Sequence, residues 1–132
     1  MAKKEKKRLN IMIIEDEQDI LLLYKDYLSN RGHNVMATST TANEIISDYD
    51  RIKPDVAIID YKLPNDKNGL DAAIQILNKY PSAAILIVTA YETVTKEIRK
   101  TPFLDNKRLE VLIKPLRLAQ LEKSLINITN KK

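Results

Sequence analysis

The chain has 132 residues, 44% hydrophobic and 30% charged, the balance of one globular domain rather than of a disordered chain. It has no cysteine, which excludes a disulfide framework and any thiolate metal site. Its net charge of +4 resides entirely in the opening "MAKKEKKR", since the other 17 basic and 17 acidic residues cancel; any attraction to nucleic acid or anionic lipid is confined to that stretch, read as a mobile basic tail over residues 1–8.

The first element is "LNIMIIED", a short apolar run ending in Glu15 and Asp16. A basic start before an apolar run has the outline of a signal peptide, but Asn10 interrupts it, acids end it, and no small-residue cleavage site follows. No stretch of the chain reaches the roughly 18 apolar residues of a spanning helix, so no membrane insertion and a cytoplasmic location are expected. "QDILLLYKDYLSNRG" follows, with Ile20, Leu23, Tyr24, Tyr27 and Leu28 at helical spacing and Gly32 as a stop. "HNVMAT" is a weak second strand, beginning at His33, the sole histidine and read as structural; "TANEIISDYDRI" is a short helix capped by Thr41.

"DVAIID" is a third strand, ending in Asp60, with Pro64 as a breaker in the loop beyond. "GLDAAIQILNKYP" stacks Leu70, Ala73, Ile74 and Leu77 on one helical face, and "AAILIVTA" is a fourth strand carrying Thr89. "ETVTKEIRK" is a poor helix stopped near Pro102. "LEVLIK" is a fifth strand ending at Lys114, and "PLRLAQLEKSLINI" closes the pattern with Pro115 in its first turn and Leu118, Leu121, Leu125 and Ile128 on one stripe.

Five strand–helix alternations with little polar alternation in the strands predict a single doubly wound α/β domain. Its sheet would be parallel and five-stranded, with helices on both faces. Chemistry in such sheets gathers at the carboxyl ends of the strands, where Glu15, Asp16, Asp60, Thr89 and Lys114 fall. Singly, each has an ordinary explanation: a helix-start charge, a turn former, a cap, an exposed lysine. Together, with the first, third and fourth strands adjacent, three carboxylates share one shallow pocket and repel by about 1 kcal/mol or more per pair. A hard divalent cation relieves that repulsion, and an oxygen-only set suits Mg2+, with Mn2+ also possible. A lysine and a hydroxyl beside it suit phosphoryl oxygens, and an aspartate can serve as the nucleophile of phosphoryl transfer.

The ordered set "IIED", "IIDYKLPNDKNGLD", "IVTA" and "IKP" resembles the response-regulator receiver domain of two-component signalling, over roughly Leu9 to Asn127. The resemblance implies a flavodoxin-like receiver fold of strand order 2-1-3-4-5 over residues 9–129, with 130–132 as a C-terminal tail. It implies that Asp60 is the phosphoacceptor, served by a sensor histidine kinase or a histidine phosphotransfer protein. Glu15, Asp16, Asp60 and the backbone carbonyl of Lys62 would be the metal ligands, and Thr89 and Lys114 would bind the phosphoryl group. It further implies a cis Lys114–Pro115 peptide, a stand-alone regulator of chemotaxis or phosphorelay type, monomeric or weakly dimeric, and a downstream protein target that the sequence leaves unnamed. Such a module assists its own phosphotransfer and slow dephosphorylation without being a turnover enzyme.

Three departures from the family pattern stand out. Val111 occupies the switch position, where the family carries an aromatic side chain that follows the threonine. The segment "YETVTKEIRKTPFLDNKRLE" is broken by Pro102 and lacks the small residues usual before the last strand. The acidic pair is Glu-Asp. Lys62 and Tyr91, the positions that flank the path of attacking water in the family, are both large, which predicts a long-lived phosphoryl group. The competing reading is a pseudo-receiver, a protein-interaction module that is never phosphorylated. A dehalogenase-type hydrolase would need an aspartate at Lys62, and a flavodoxin would need a polar uncharged loop where "EDEQD" stands.

Overall fold

The computed structural model describes residues 8–39, 44–63 and 67–130. The expected Thr41 cap, the Pro64 breaker, the basic tail up to residue 7 and residues 131–132 lie outside them. β1 (Asn10–Ile14), β2 (Asn34–Ser39), β3 (Val56–Asp60), β4 (Ala84–Thr89) and β5 (Arg108–Ile113) form one parallel sheet in the order β2-β1-β3-β4-β5. They alternate with α1 (Gln18–Asn30), α2 (Ile45–Ile52), α3 (Gly69–Lys79), α4 (Thr93–Arg99) and α5 (Leu118–Asn130).

The apolar strands are buried on both faces, as their composition requires. Successive side chains point to opposite sides of a strand, so each central strand feeds two cores. Met12, Ile14, Ala57, Ile59, Ile85 and Ile87 pack with residues of α2, α3 and α4. Ile11, Ile13, Val56, Ile58, Leu86 and Val88 pack with α1 and α5. Full burial of one such aliphatic side chain stabilises the fold by about 1.5–3 kcal/mol, which makes β1, β3 and β4 the rigid platform of the molecule. Asp55, the first residue of the "DVAIID" run, is not part of it: it is exposed, precedes β3, and its carboxylate accepts the Asn10 N–H at 2.8 Å.

The helices depart from the sequence reading in detail. α1 buries Leu21, Tyr24 and Leu28, whereas Leu23, assigned to the apolar face, is 51% exposed beside Leu22 at 52%. With three leucines in succession, helical spacing alone does not say which one faces inward. α5 begins at Leu118, so Pro115 precedes the helix instead of sitting in its first turn, and the Lys114–Pro115 peptide is cis. Pro102 ends the α4 region in a single 3-10 turn, Pro102–Leu104. Gly32 follows α1 at φ +94°, a conformation that favours glycine.

His33 is structural. Its buried ring accepts the Leu9 N–H at Nδ1 (3.1 Å), which leaves the proton on Nε2, 2.7 Å from Glu122 on α5. Arg31 donates to the other Glu122 oxygen at 3.0 Å, tying α5 to the loop before β2 at the amino end of the sheet.

Candidate functional site

β1 lies between β2 and β3, so the chain reverses its winding direction there and a crevice opens at the carboxyl ends of β1 and β3. Glu15 and Asp16 leave β1 into it, and Asp60 is the last residue of β3. The three carboxylates each offer an oxygen within 4.8 Å of the others. Thr89, the last residue of β4, and Lys114, just past β5, complete one end of a cleft of about 430 Å3, whose walls include Asp16, Lys62 and Tyr91. All the side chains singled out at the strand ends therefore meet in one place. Val111 does not join them: it pairs with Ile87 in the middle of the β4–β5 ladder and packs into the core on the α3/α4 side.

The cluster is less open than a strand-end position implies. Glu15 is 2% exposed and Asp60 8%, while Asp16 faces solvent. Burial, and then the neighbouring Asp60 charge, push the Glu15 carboxyl up from 4.5 to about 7, against the lowering pull of the Glu17 N–H and Lys114. Burial likewise raises Asp60, opposed by Lys114. Lys114 Nζ lies 3.3 Å from Asp60 and 3.7 Å from Glu15; burial works against its charge, but the two carboxylates together hold it above its ordinary range. One ammonium thus answers three acids, a donor set of oxygen only with charge to spare for a hard divalent cation.

The loops are held by backbone bonds. Lys114 N–H donates to the Thr89 carbonyl at 2.7 Å, and Thr89 Oγ1 accepts the Tyr91 N–H at 3.0 Å, so its own proton is left to donate. Tyr61 N–H donates to Val88 at 3.0 Å, and its carbonyl accepts the Gly69 N–H at 2.6 Å. Asn68 caps α3 by accepting the Asp71 N–H at 2.8 Å.

Two groups were not singled out from the sequence. Gly69 lies so close to the Asp60 peptide that a Cβ there would be 2.9 Å from Ile59 Cγ2 and nearer still to the Asp60 carbonyl oxygen. The Asn68–Gly69 pair at a helix start was the available signal. Tyr61, beside Asp60, reaches across to Glu97 of α4, and nothing in its sequence neighbourhood marks that contact.

Comparison with known proteins agrees with this geometry. The model of the response regulator receiver domain matches residues 11–126. The chain is 28% identical over 116 residues to the chemotaxis protein CheY of Listeria monocytogenes, covering 80% of this chain and 97% of that one. Among solved structures, a response regulator receiver domain protein from Clostridium thermocellum superposes with a TM-score of 0.78 at 27% identity, over 92% of this chain and 94% of that one. The response regulator PhyR from Brucella abortus superposes with a TM-score of 0.76 at 26% identity, over 93% of this chain. The chain spans 48% of PhyR. Sheet order, strand-end cluster and family match agree, and the chain belongs to the response regulator receiver domain family.

Proposed function

We propose that this chain is a phosphorylation switch of a two-component system, with Asp60 as the phosphoacceptor over a receiver domain of residues 9–129. Phosphorylation and Mg2+ binding are general in the family. The observation that carries the reading for this chain is the convergence of Glu15, Asp16 and Asp60 within 4.8 Å, with Lys114 3.3 Å from Asp60.

The donor set fits Mg2+, or Mn2+: it is all oxygen, and burial together with the neighbouring Asp60 charge raises the Glu15 carboxyl, a cost that a cation would offset. Glu15, Asp16, Asp60 and the Lys62 carbonyl would hold the ion, which when bound supplies positive charge to the carboxylates and to phosphoryl oxygens. The rest is the work of the chain. An Asp60 oxygen attacks the phosphorus of a phosphohistidine; the O–P bond forms as the P–N bond breaks, and the imidazole keeps the electron pair and takes a proton from solvent. Lys114, already on Asp60, has only to shift its ammonium to a phosphoryl oxygen, and the Thr89 hydroxyl has its proton free to donate. Lys62 and Tyr91 on the cleft wall stand where they slow the approach of hydrolytic water.

The donor is a sensor histidine kinase or histidine phosphotransfer protein, and the output is a changed surface near α4 and α5, read by a downstream protein. The module is a monomer or weak dimer that does not turn over substrate. A cytoplasmic location is part of this reading; no helix among the described residues is long and apolar enough to cross a membrane. Incubation with Mg2+ and a small-molecule phosphodonor should add one phosphoryl group in intact mass, and Asp60→Asn should abolish the gain. No gain, or a gain that persists in Asp60→Asn, would refute the assignment. The first outcome favours the pseudo-receiver reading, to which Val111 lends its support.

A further inference from the structure

The switch position on β5 carries no group able to hydrogen-bond to the site or to α4. Val111 has no polar atom in its side chain and is packed against the core opposite Ile87. The same side of the sheet nonetheless holds an aromatic group next in sequence to Asp60, just past the end of β3. Period-two alternation sends Asp60 and the next residue, Tyr61, to opposite sides of β3, and Tyr61 packs on the α3/α4 side. Its peptide is clamped between Val88 and Gly69, which fixes the backbone from which its ring projects directly beside Asp60.

The ring has two contacts beyond the site. Its hydroxyl donates to Glu97 of α4, at 3.2 Å from one carboxylate oxygen and 3.4 Å from the other. Its ring meets that of Tyr91 in an edge-to-face arrangement, with centroids 6.3 Å apart at 66°. Tyr91 is in turn tied through its N–H to the Thr89 hydroxyl. Asp60 by covalent succession and Thr89 by hydrogen bond therefore converge on one phenol, and that phenol is bonded to α4. α4 is well suited to respond. It has seven residues, too few to be stable alone, and is held to the core by buried Val94 and partly buried Ile98, so the bond to Glu97 is one of few attachments.

We infer that Tyr61 is the positioning residue that carries a change at Asp60 to α4, through its hydroxyl on Glu97 and its contact with Tyr91. The inference rests on the reading of Asp60 as phosphoacceptor. The two are separated by adding Mg2+ and beryllofluoride to the whole chain, with bound fluoride read by fluorine NMR and the backbone amides by nitrogen–proton NMR. Wild type should show bound fluoride and shifted amides both around Asp60 and along α4. Tyr61→Phe keeps the ring, and Glu97→Ala alters only an exposed side chain; each should keep the bound fluoride and the shifts around Asp60 and lose those along α4. Retention of the α4 shifts in either variant would overturn the relay while leaving the phosphoacceptor intact. Bound fluoride without α4 shifts in wild type would do the same. Absence of bound fluoride in wild type would overturn both.

Discussion

Gly69 is the position at which fold and site both depend on having no side chain, and Gly69→Ala tests that dependence. The glycine opens α3 with its N–H 2.6 Å from the Tyr61 carbonyl. An added Cβ would meet Ile59 Cγ2 at 2.9 Å, the Asp60 carbonyl carbon at 3.0 Å and, closer than either, the Asp60 carbonyl oxygen. Two opposing effects set the sign. Alanine improves helix propensity by at most about 1 kcal/mol, and less at a first helical position. Overpacking costs about 1–3 kcal/mol. Here the upper part of that range applies, because two of the three atoms met are backbone of β3, buried along its whole length, and no rotamer moves them.

The net expectation is a loss of about 2 kcal/mol, read as a midpoint lowered by about 1 M in urea at unchanged slope. Because the displaced group is the Asp60 peptide itself, Mg2+ affinity measured by calorimetry should fall as well. Gly32→Ala is the control: at φ +94° with nothing within 4 Å of its Cβ, it should lose about 1–2 kcal/mol to backbone strain and keep its Mg2+ affinity. Wild-type stability in Gly69→Ala, or an equal loss of Mg2+ affinity in both variants, would refute the reasoning.

Two further outcomes follow from the site. The folded chain holds the Glu15 carboxyl at about 7, above its ordinary 4.5, so between those values the folded state binds more protons than the unfolded one; metal-free stability should therefore fall as pH rises from 4.5 through about 7, by at most about 3 kcal/mol. Urea unfolding across that window should show a slope that Glu15→Gln reduces to what the raised Asp60 contributes and that saturating Mg2+ also reduces, and a slope unchanged in Glu15→Gln would sink the assignment. Tyr91 is 48% exposed on the cleft wall, so Tyr91→Ala should open the approach of water to phosphorylated Asp60; its phosphoryl decay should be faster than that of wild type, and equal decay would remove Tyr91 from that role.

The sheet was legible because its signal is redundant: three apolar runs ending in polar chemistry, with a weaker fourth and a fifth alternating with helical patterns, allow few arrangements, and the observed strand order is the expected one. The gathering of Glu15, Asp16, Asp60, Thr89 and Lys114 was legible for a related reason, since parallel strands bring their carboxyl ends to one edge whatever their loops do. Helix faces were less so. Leu21, Leu22 and Leu23 have the same hydrophobicity, and only packing against β1 and α5 decides that Leu21 is inside. The depth of the cluster was also hidden, because exposure at a strand end depends on how the following loops fold over it. Tyr61 and Glu97 are 36 residues apart and linked by one hydroxyl, a contact that no periodicity encodes.

Charge accounts for why the site is built with its acid partly withheld. Glu15, Asp16 and Asp60 fully ionised beside Lys114 would leave two uncompensated negative charges in a crevice that is mostly buried. The metal-free chain avoids this by keeping Glu15 near its titration point and by drawing Lys114 onto Asp60. A divalent cation held by the three carboxylates would make the set neutral and would favour the ionised form of Glu15. On the proposed reading, a phosphoryl group on Asp60 adds negative charge further out in the cleft, where Lys114 and Thr89 are the nearest donors, and the attraction that held Lys114 on Asp60 is redirected there. The groups freed or moved by that exchange lie on either side of β3. The ammonium is on the α1/α5 side, while Tyr61 is on the α4 side, where β5 presents the apolar Leu109 and Val111. With an apolar residue at the switch position, the Tyr61 hydroxyl on Glu97 supplies a polar connection to α4 from the residue next to Asp60.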